Sequence, residues 1–324
     1  MNKLSDQQLS HFDEEGYLVV RDFFDPIADL DPVIEEYAGV LDRLAEALFA
    51  TGETKSTYAD EEFSERLIRV CQDTGKIHAQ AFDFSLPQRS IQADTPIWSG
   101  PAVFKILRHP GLLDLMEGLI GPEIYSNPIQ HARLKLPDSR AIRDAQGEIL
   151  QGTTPWHQDN GVAQPEADDT DMITVWFSLW DAPIKSGCLE VIPRSHRRGI
   201  VDHCQIGSAG FAIPDKLLEK EKAVSLPMNR GDLLLLHRRT CHSSLPNLSN
   251  RIRWSFDLRY NPTDQPSGRS AFPGFIARSR SRPETELHDA TTWADSWLKA
   301  RAKLADDAEA QTFNRWDGNH EACA

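Results

Sequence analysis

From about residue 123 the apolar positions come in short runs or alternate with polar ones, and Pro, Gly, Asn and Asp cut the runs apart. IQHARLKLP, MITVWFSLWDAP, GCLEVIP, GDLLLLH and IRWSFDLRY follow one another before residue 262. Short β-forming segments at this spacing predict a sandwich or barrel. Upstream the pattern differs. Residues 4–15 read as a helix with Ser5 as N-cap, Gln8 three places on as in a capping box, and Gly16 as its stop. Tyr17 to Phe24, YLVVRDFF, reads as a strand. Residues 27–50 read as an amphipathic helix, 51–62 as a polar surface loop, and 63–78 and 109–120 as further helices, the last closed by Gly121-Pro122. Residues 290–310 return to a helical pattern. The layout is mainly β with flanking helices, a single domain over 1–324. It divides into a helical N-terminal region over 1–122, a β core over 123–262 and a helical tail over 263–324, with the helices packed outside the β core.

Charge narrows the partners. The chain of 324 residues carries a formal net charge of -14, a field that repels nucleic acid and anionic membranes and leaves a small molecule as the expected partner. The five cysteines, Cys71, Cys188, Cys204, Cys241 and Cys323, are odd in number, scattered and without a C-x-x-C, which predicts reduced thiols rather than a disulfide framework or a zinc knot. The first residues show no apolar leader and no run approaches a membrane span, so the expected location is cytoplasmic.

The chemistry concentrates in Trp156-His157-Gln158-Asp159. On a strand, residues two apart share a face, so His-x-Asp presents an imidazole beside a carboxylate, two-thirds of the 2-His-1-carboxylate set that holds non-haem Fe(II). H-x-D alone is a weak signal that also occurs at surface strand ends. The third ligand has two candidates in LLLLHRRTCHSS, His237 and His242. Arg251 and Arg253 alternate with Ile252 and Trp254, so both lie on one strand face. A guanidinium there offers a bidentate fork to a carboxylate. Thr174, Trp176 and Ser178 likewise share a face of MITVWFSLWD; with that face interior, Trp176 walls a pocket near the metal. SGCLEVIPRSH reads as architecture, since its Gly and Pro mark backbone shape first. Arg194, Arg197 and Arg198 form a local basic cluster in an acidic chain.

These blocks together resemble the phytanoyl-CoA hydroxylase family of Fe(II)/2-oxoglutarate oxygenases, which includes ectoine hydroxylase. The resemblance runs from LSDQQLSHFDEEGYLVVRDFFDP through PWHQDNG and TVWFSLWDAPIKSGCLEVIPRSHRRG to GDLLLLHRRTCHSSLPNLSNRIRWSFDLRY. It implies a double-stranded β-helix, a jelly roll of the cupin type. It also implies His157, Asp159 and His242 as metal ligands, and Arg253, eleven residues after the distal His, as the anchor of the 2-oxoglutarate carboxylate. Ser244 matches a position that helps bind that carboxylate. Gln130 resembles a polar co-substrate contact, with Leu134 standing where a neighbouring contact is Asn.

The function implied is a dioxygenase that uses Fe(II), 2-oxoglutarate and O2 to hydroxylate an unactivated C–H of a small metabolite or natural-product intermediate, releasing succinate and CO2. An acyl-CoA is the alternative substrate. A non-catalytic cupin-like metal-binding module is the alternative from another class, and a zinc hydrolase leaves the arginine unexplained. Asp159 argues against a halogenase, which replaces that carboxylate with a small residue. The loops 51–62, 138–152 and 200–220 are expected to set substrate choice.

Overall fold

The structure, a computed structural model, describes residues 3–206, 210–307, 313, 315, 316 and 321–323. Helix α1 (Asp6–Glu15) starts on the foreseen capping box: the Ser5 side chain accepts from the Gln8 amide, and the Gln8 side chain accepts from the Ser5 amide. Gly16, at φ 80°, ends it. This left-handed conformation suits glycine, and a side chain there would collide with His196. Strand β1 (Tyr17–Val20) follows and is shorter than the YLVVRDFF run suggested. A π-helical turn over Pro26–Leu30 then leads into α2 (Asp31–Ala50) and α3 (Phe63–Thr74). Helix α4 (Pro101–Leu107), absent from the sequence reading, and α5 (Pro110–Ile120) complete the N-terminal helices.

The β region consists of β2 (Glu123–Lys135), the short helical turn α6 (Asp159–Val162), β3 (Ile173–Ser178), β4 (Leu189–Val191), β5 (Cys204–Ile206), β6 (Gly210–Ala212), β7 (Val224–Leu226), β8 (Leu233–His237), β9 (His242–Ser244), β10 (Arg253–Pro262) and β11 (Phe275–Ser279), with α7 (Ala290–Asp306) after it. The large sheet has the order β1-β8-β3-β10-β2-β11, and a small sheet has the order β7-β4-β9. All their pairings are antiparallel. The large sheet thus takes its edge strands, β1 and β11, from outside residues 123–262, so the boundaries read from sequence texture do not delimit it. Those two segments look like pieces of a helical flank until pairing is known.

Register places the side chains. Trp254 lies opposite Leu134, and Phe256 opposite both Ala132 and Phe177. Directly opposed residues project to the same face of an antiparallel pair. These apolar residues face the helices and join the main core with Tyr37, Phe63, Phe82 and Phe84. Phe63 stacks on Trp254 with ring centroids 4.4 Å apart. Each such ring contributes about 1.5–3 kcal/mol by leaving water. The alternate positions, Arg253 opposite Lys135, Ser255 opposite Arg133 and Ser178, Asp257 opposite His131 and Trp176, and Arg259 opposite Thr174, share the other face.

Candidate metal centre

Strand β9 pairs with the segment before α6. His157 and His242 exchange both backbone hydrogen bonds, each 3.0 Å, and the Ser244 amide donates to the Thr154 carbonyl at 3.1 Å. This reciprocal pairing puts both imidazoles on one face, with ring centroids 4.2 Å apart. His157 Nδ1 lies 2.8 Å from the Pro155 carbonyl, and His242 Nδ1 lies 2.9 Å from that of Thr240. A carbonyl only accepts, so each Nδ1 carries the proton and each Nε2 is left with a free lone pair. Asp159 does not sit on a strand beside His157, as the His-x-Asp spacing suggested; it opens the turn α6. The turn still brings its carboxylate to the imidazoles, with Oδ1 3.9 Å from His157 Nε2. Ligand atoms of His157, Asp159 and His242 lie within 4.8 Å of one another, and this is the one such group among the described residues.

Electrostatics keep the three groups in ligating form. Burial and the neighbouring His242 push the His157 imidazole down to about 3, so it is neutral. Burial works to raise the Asp159 carboxyl, but the Arg259 guanidinium and the two imidazoles outweigh it and hold the group below the ordinary carboxylate range. Arg259 Nη2 donates to Asp159 Oδ1, and the Thr174 hydroxyl donates to Oδ2. Two neutral imidazole nitrogens and one fixed carboxylate are the donor set that suits a non-haem iron with open positions.

Gln158, between two of these residues, points the other way and uses every polar group it has. Its amide donates to His203 Nε2 at 3.0 Å, and its side-chain oxygen accepts from Val201. Its side-chain nitrogen donates to the carbonyls of Gly199 and Arg239. His203 in turn packs so tightly on Gly161 that a Cβ there would lie 2.2 Å from its ring. No spacing in the sequence announces this pin.

Beyond the imidazoles lies a second feature. Arg253 is buried, its Nε has no partner, and no carboxylate of the described residues lies within ion-pair distance of it. Opposite it on β2 stands Lys135, also buried, donating to Ser244 Oγ at 2.8 Å and to the Leu245 carbonyl at 2.7 Å. Burial, reinforced by Arg253, pushes the Lys135 ammonium down to about 6. Burial and nearby Arg133 bring Arg253 to about 10, so it stays charged at neutral pH. The Trp176 ring lies 5.7 Å from the Arg253 guanidinium carbon and walls this space. Buried cations without a counter-charge call for an anion.

The structure therefore brings Arg253, Ser244 and Trp176 together and adds Lys135, which the sequence reading missed. Leu134 lies on the opposite face, in the helical core, so the position facing Arg253 is one residue further on. Gln130 is buried, its side-chain oxygen has no partner, and it falls where the register of β2 against β10 slips. His237 is not a member of the cluster; it stacks on His196. Arg194 reaches Glu14 and Glu15 on the surface, and Arg198 reaches Glu219, so these members of the basic cluster serve other contacts.

One expectation is overturned. Cys204 and Cys323 are joined by a disulfide, although scattered spacing predicted reduced thiols; Cys71, Cys188 and Cys241 are free and buried. The two sulfurs are 119 residues apart, and only the fold brings them together. The same C-terminal stretch lies against α6: Arg315 pairs with Asp168 and donates to the Asn160 carbonyl, and Trp316 donates to the Gly161 carbonyl and stacks on His203. Among the described residues no helix is long and apolar enough to cross a membrane.

Comparison with known proteins agrees with this geometry. The family model described as phytanoyl-CoA dioxygenase (PhyH) matches residues 12–255. A phytanoyl-CoA dioxygenase of Arabidopsis thaliana is 26% identical over 270 residues, 81% of this chain and 90% of the relative. The 1-deoxypentalenic acid 11-beta-hydroxylase of Streptomyces arenae is 30% identical over 176 residues, 50% of this chain and 58% of that one. Among solved structures, the non-heme monooxygenase ThoJ in its apo form superposes with a TM-score of 0.55 at 17% identity, covering 92% of this chain and 97% of its own; it supports the jelly-roll fold alone.

Proposed function

The chain belongs to the phytanoyl-CoA dioxygenase family of iron- and 2-oxoglutarate-dependent oxygenases, and we propose that it hydroxylates an unactivated C–H bond of a small metabolite or natural-product intermediate, with His157, Asp159 and His242 as the iron ligands. The observation that carries this reading is the pair of buried cations, Arg253 and Lys135, set beside Ser244 with no carboxylate to neutralise them. A metal-binding module without turnover, or a zinc hydrolase, has no use for such a pair. A dianionic 2-oxo acid does: one end chelates the metal, and the far carboxylate meets the cations.

Bound iron and 2-oxoglutarate supply the oxidation, which couples loss of CO2 and formation of succinate to insertion of one oxygen atom of O2 into the substrate. The rest is done by the protein. Pro155 and Thr240 fix the imidazole tautomers through their carbonyls. Arg259 and Thr174 occupy one lone pair on each Asp159 oxygen, which holds the carboxylate still without closing it to a metal. Arg253, Ser244 and Lys135 receive the far carboxylate, and Trp176 excludes water from it. A 1-deoxypentalenic acid hydroxylase among the relatives supports a natural-product intermediate over an acyl-CoA as substrate.

The test is succinate formation by anaerobically prepared protein given Fe(II), 2-oxoglutarate and then O2, with Asp159→Ala alongside. Succinate from the parent protein and none from the variant is the expected result. Iron bound at full occupancy with no succinate across a broad compound set would return the chain to the non-catalytic reading.

A further inference from the structure

The face of the large sheet that carries the site holds one more cation, which neither the metal nor the co-substrate accounts for. Arg133 lies opposite Ser255 on β10, two residues before Lys135 on β2, so its side chain leaves the sheet on the same side as Lys135, Arg253, Asp257 and Trp176. Every other charged side chain paired in that register between Arg253 and Arg259 is buried or largely so, whereas the Arg133 side chain is 44% exposed. An inward-facing side chain with that much exposure stands where the space between the sheets opens to solvent, on the route a substrate takes.

Its chemistry is half committed. Arg133 Nε meets Asp257 Oδ1 at 3.1 Å, and among the described residues Asp257 is the one carboxylate within ion-pair distance of it. Asp257 Oδ2 also faces Arg259 Nη1 at 3.5 Å, and Arg259 holds Asp159. Charges alternate from the mouth to the metal ligand: Arg133, Asp257, Arg259, Asp159. That chain orients the guanidinium through one edge and leaves its other edge toward the opening. The face carries three guanidiniums (Arg133, Arg253, Arg259) against two carboxylates (Asp159, Asp257). A divalent iron and a dianionic co-substrate cancel, so one positive charge is left over, and Arg133 is the member of the three that solvent reaches.

We propose that Arg133 is the substrate anchor and that the substrate carries a carboxylate, bound by the free edge of this guanidinium while the rest of the molecule reaches past Trp176 toward the metal. The reading rests on the oxygenase assignment above and deepens it. It makes a small organic acid the substrate class, in a chain whose net charge would otherwise turn anions away. Local focusing in a cleft with low-dielectric walls overrides the distant field. Strand spacing separates the two anion sites, since residues two apart on one strand lie about 6–7 Å from each other. Arg133 and Lys135 can therefore serve different carboxylates.

The experiment uses the anaerobic protein loaded with Fe(II) and 2-oxoglutarate. Titration calorimetry measures the binding of cyclopentanecarboxylate, cyclohexanecarboxylate and benzoate, each beside its neutral primary amide, to the parent protein, Arg133→Gln and Arg133→Lys. The expected result is a preference for acid over amide of roughly tenfold or more in the parent, parity in Arg133→Gln and partial recovery in Arg133→Lys. In all three, 2-oxoglutarate affinity should stay within about twofold, because Arg253 and Lys135 do not depend on Arg133 for their contacts. Equal binding of acids and amides by the parent, no binding of any acid at millimolar concentration, or a preference that survives Arg133→Gln would overturn the proposal. A large loss of 2-oxoglutarate affinity in Arg133→Gln would also overturn it, by assigning the residue to the co-substrate. The visible charge-transfer absorption of the Fe(II)–2-oxoglutarate complex is recorded separately, and its absence would count against the oxygenase reading while leaving the calorimetric comparison to judge the anchor.

Discussion

Along β10, Trp254, Phe256, Leu258 and Tyr260 enter the layer of helices, while the residues that alternate with them, Arg253, Ser255, Asp257 and Arg259, enter the space beneath β9. Both sets are buried. The first set is held by rings against rings: Phe63 stacks on Trp254, and Phe177 stacks on Phe256 with centroids 5.4 Å apart. The second set is held by hydrogen bonds and opposed charges, and one member, Arg253, is left without an opposite charge. Burial alone therefore does not separate core from site on this strand; what separates them is whether each buried group has its partner inside the protein. A buried aromatic has satisfied its chemistry once it leaves water. A buried arginine has not, until an anion reaches it.

That contrast can be broken by substitution on either face. The largest effect is expected from Asp159→Ala, which removes the carboxylate that Arg259 orients: succinate formation should fall to the limit of detection and iron should be lost on gel filtration, while far-UV circular dichroism stays that of the parent. Next comes Trp254→Ala on the other face. Deleting a fully buried indole should cost about 3–5 kcal/mol of unfolding free energy, read by urea denaturation, with 2-oxoglutarate affinity of the folded fraction unchanged. If Trp254→Ala instead weakened 2-oxoglutarate binding with no loss of stability, the two faces would not be independent. Smaller again is Arg253→Ala. Losing charge-assisted hydrogen bonds should cost about 1.5–3 kcal/mol of binding, seen as a rise in the 2-oxoglutarate dissociation constant. The buried cation is removed together with its unpaired state, so unfolding free energy should hold or increase.

Much of this division is visible in the sequence. RIRWSFDLRY alternates charge and ring at the strand period, and the Ser5–Gln8 capping box fixes where α1 begins. The motif around His157 brings the ligands together even though Asp159 lies on a helical turn rather than a strand, because the contact depends on chain direction and not on the element type. What the sequence hides is anything set by pairing. Lys135 escapes notice there because a shift of one residue moves a side chain to the opposite face, and the slip of β2 against β10 between Asp257 and Arg259 breaks the count that would carry Gln130 to its neighbours. Gln158 looks like a spacer between two ligands, and only the fold shows its four hydrogen bonds. Cys204 and Cys323 pair across 119 residues, a contact that no local spacing encodes.

The smallest expected effect sharpens the comparison most, because it tests a partner that is incomplete by degrees. Burial, reinforced by Arg253, pushes the Lys135 ammonium to about 6, so in the protein without co-substrate it carries its charge below that pH and loses it above. A 2-oxoglutarate carboxylate placed beside it favours the charged form. Binding above pH 6 must therefore take up a proton, and the linkage has one sign: affinity for 2-oxoglutarate is highest near pH 6 and weakens as pH rises toward 8, by at most about tenfold per unit. Lys135→Met keeps the volume, removes the titrating group and leaves Arg253 and Ser244 in place. Its affinity should lie below that of the parent at pH 6 and should no longer change over this range, a difference that titration calorimetry in buffers of unlike ionisation enthalpy reads directly as proton uptake. A parent protein that binds 2-oxoglutarate with no proton uptake between pH 6 and 8 would show that Lys135 is neutral in both states, a hydrogen-bond donor to Ser244 and nothing more, and Arg253 would then stand alone as the charge that this face leaves open.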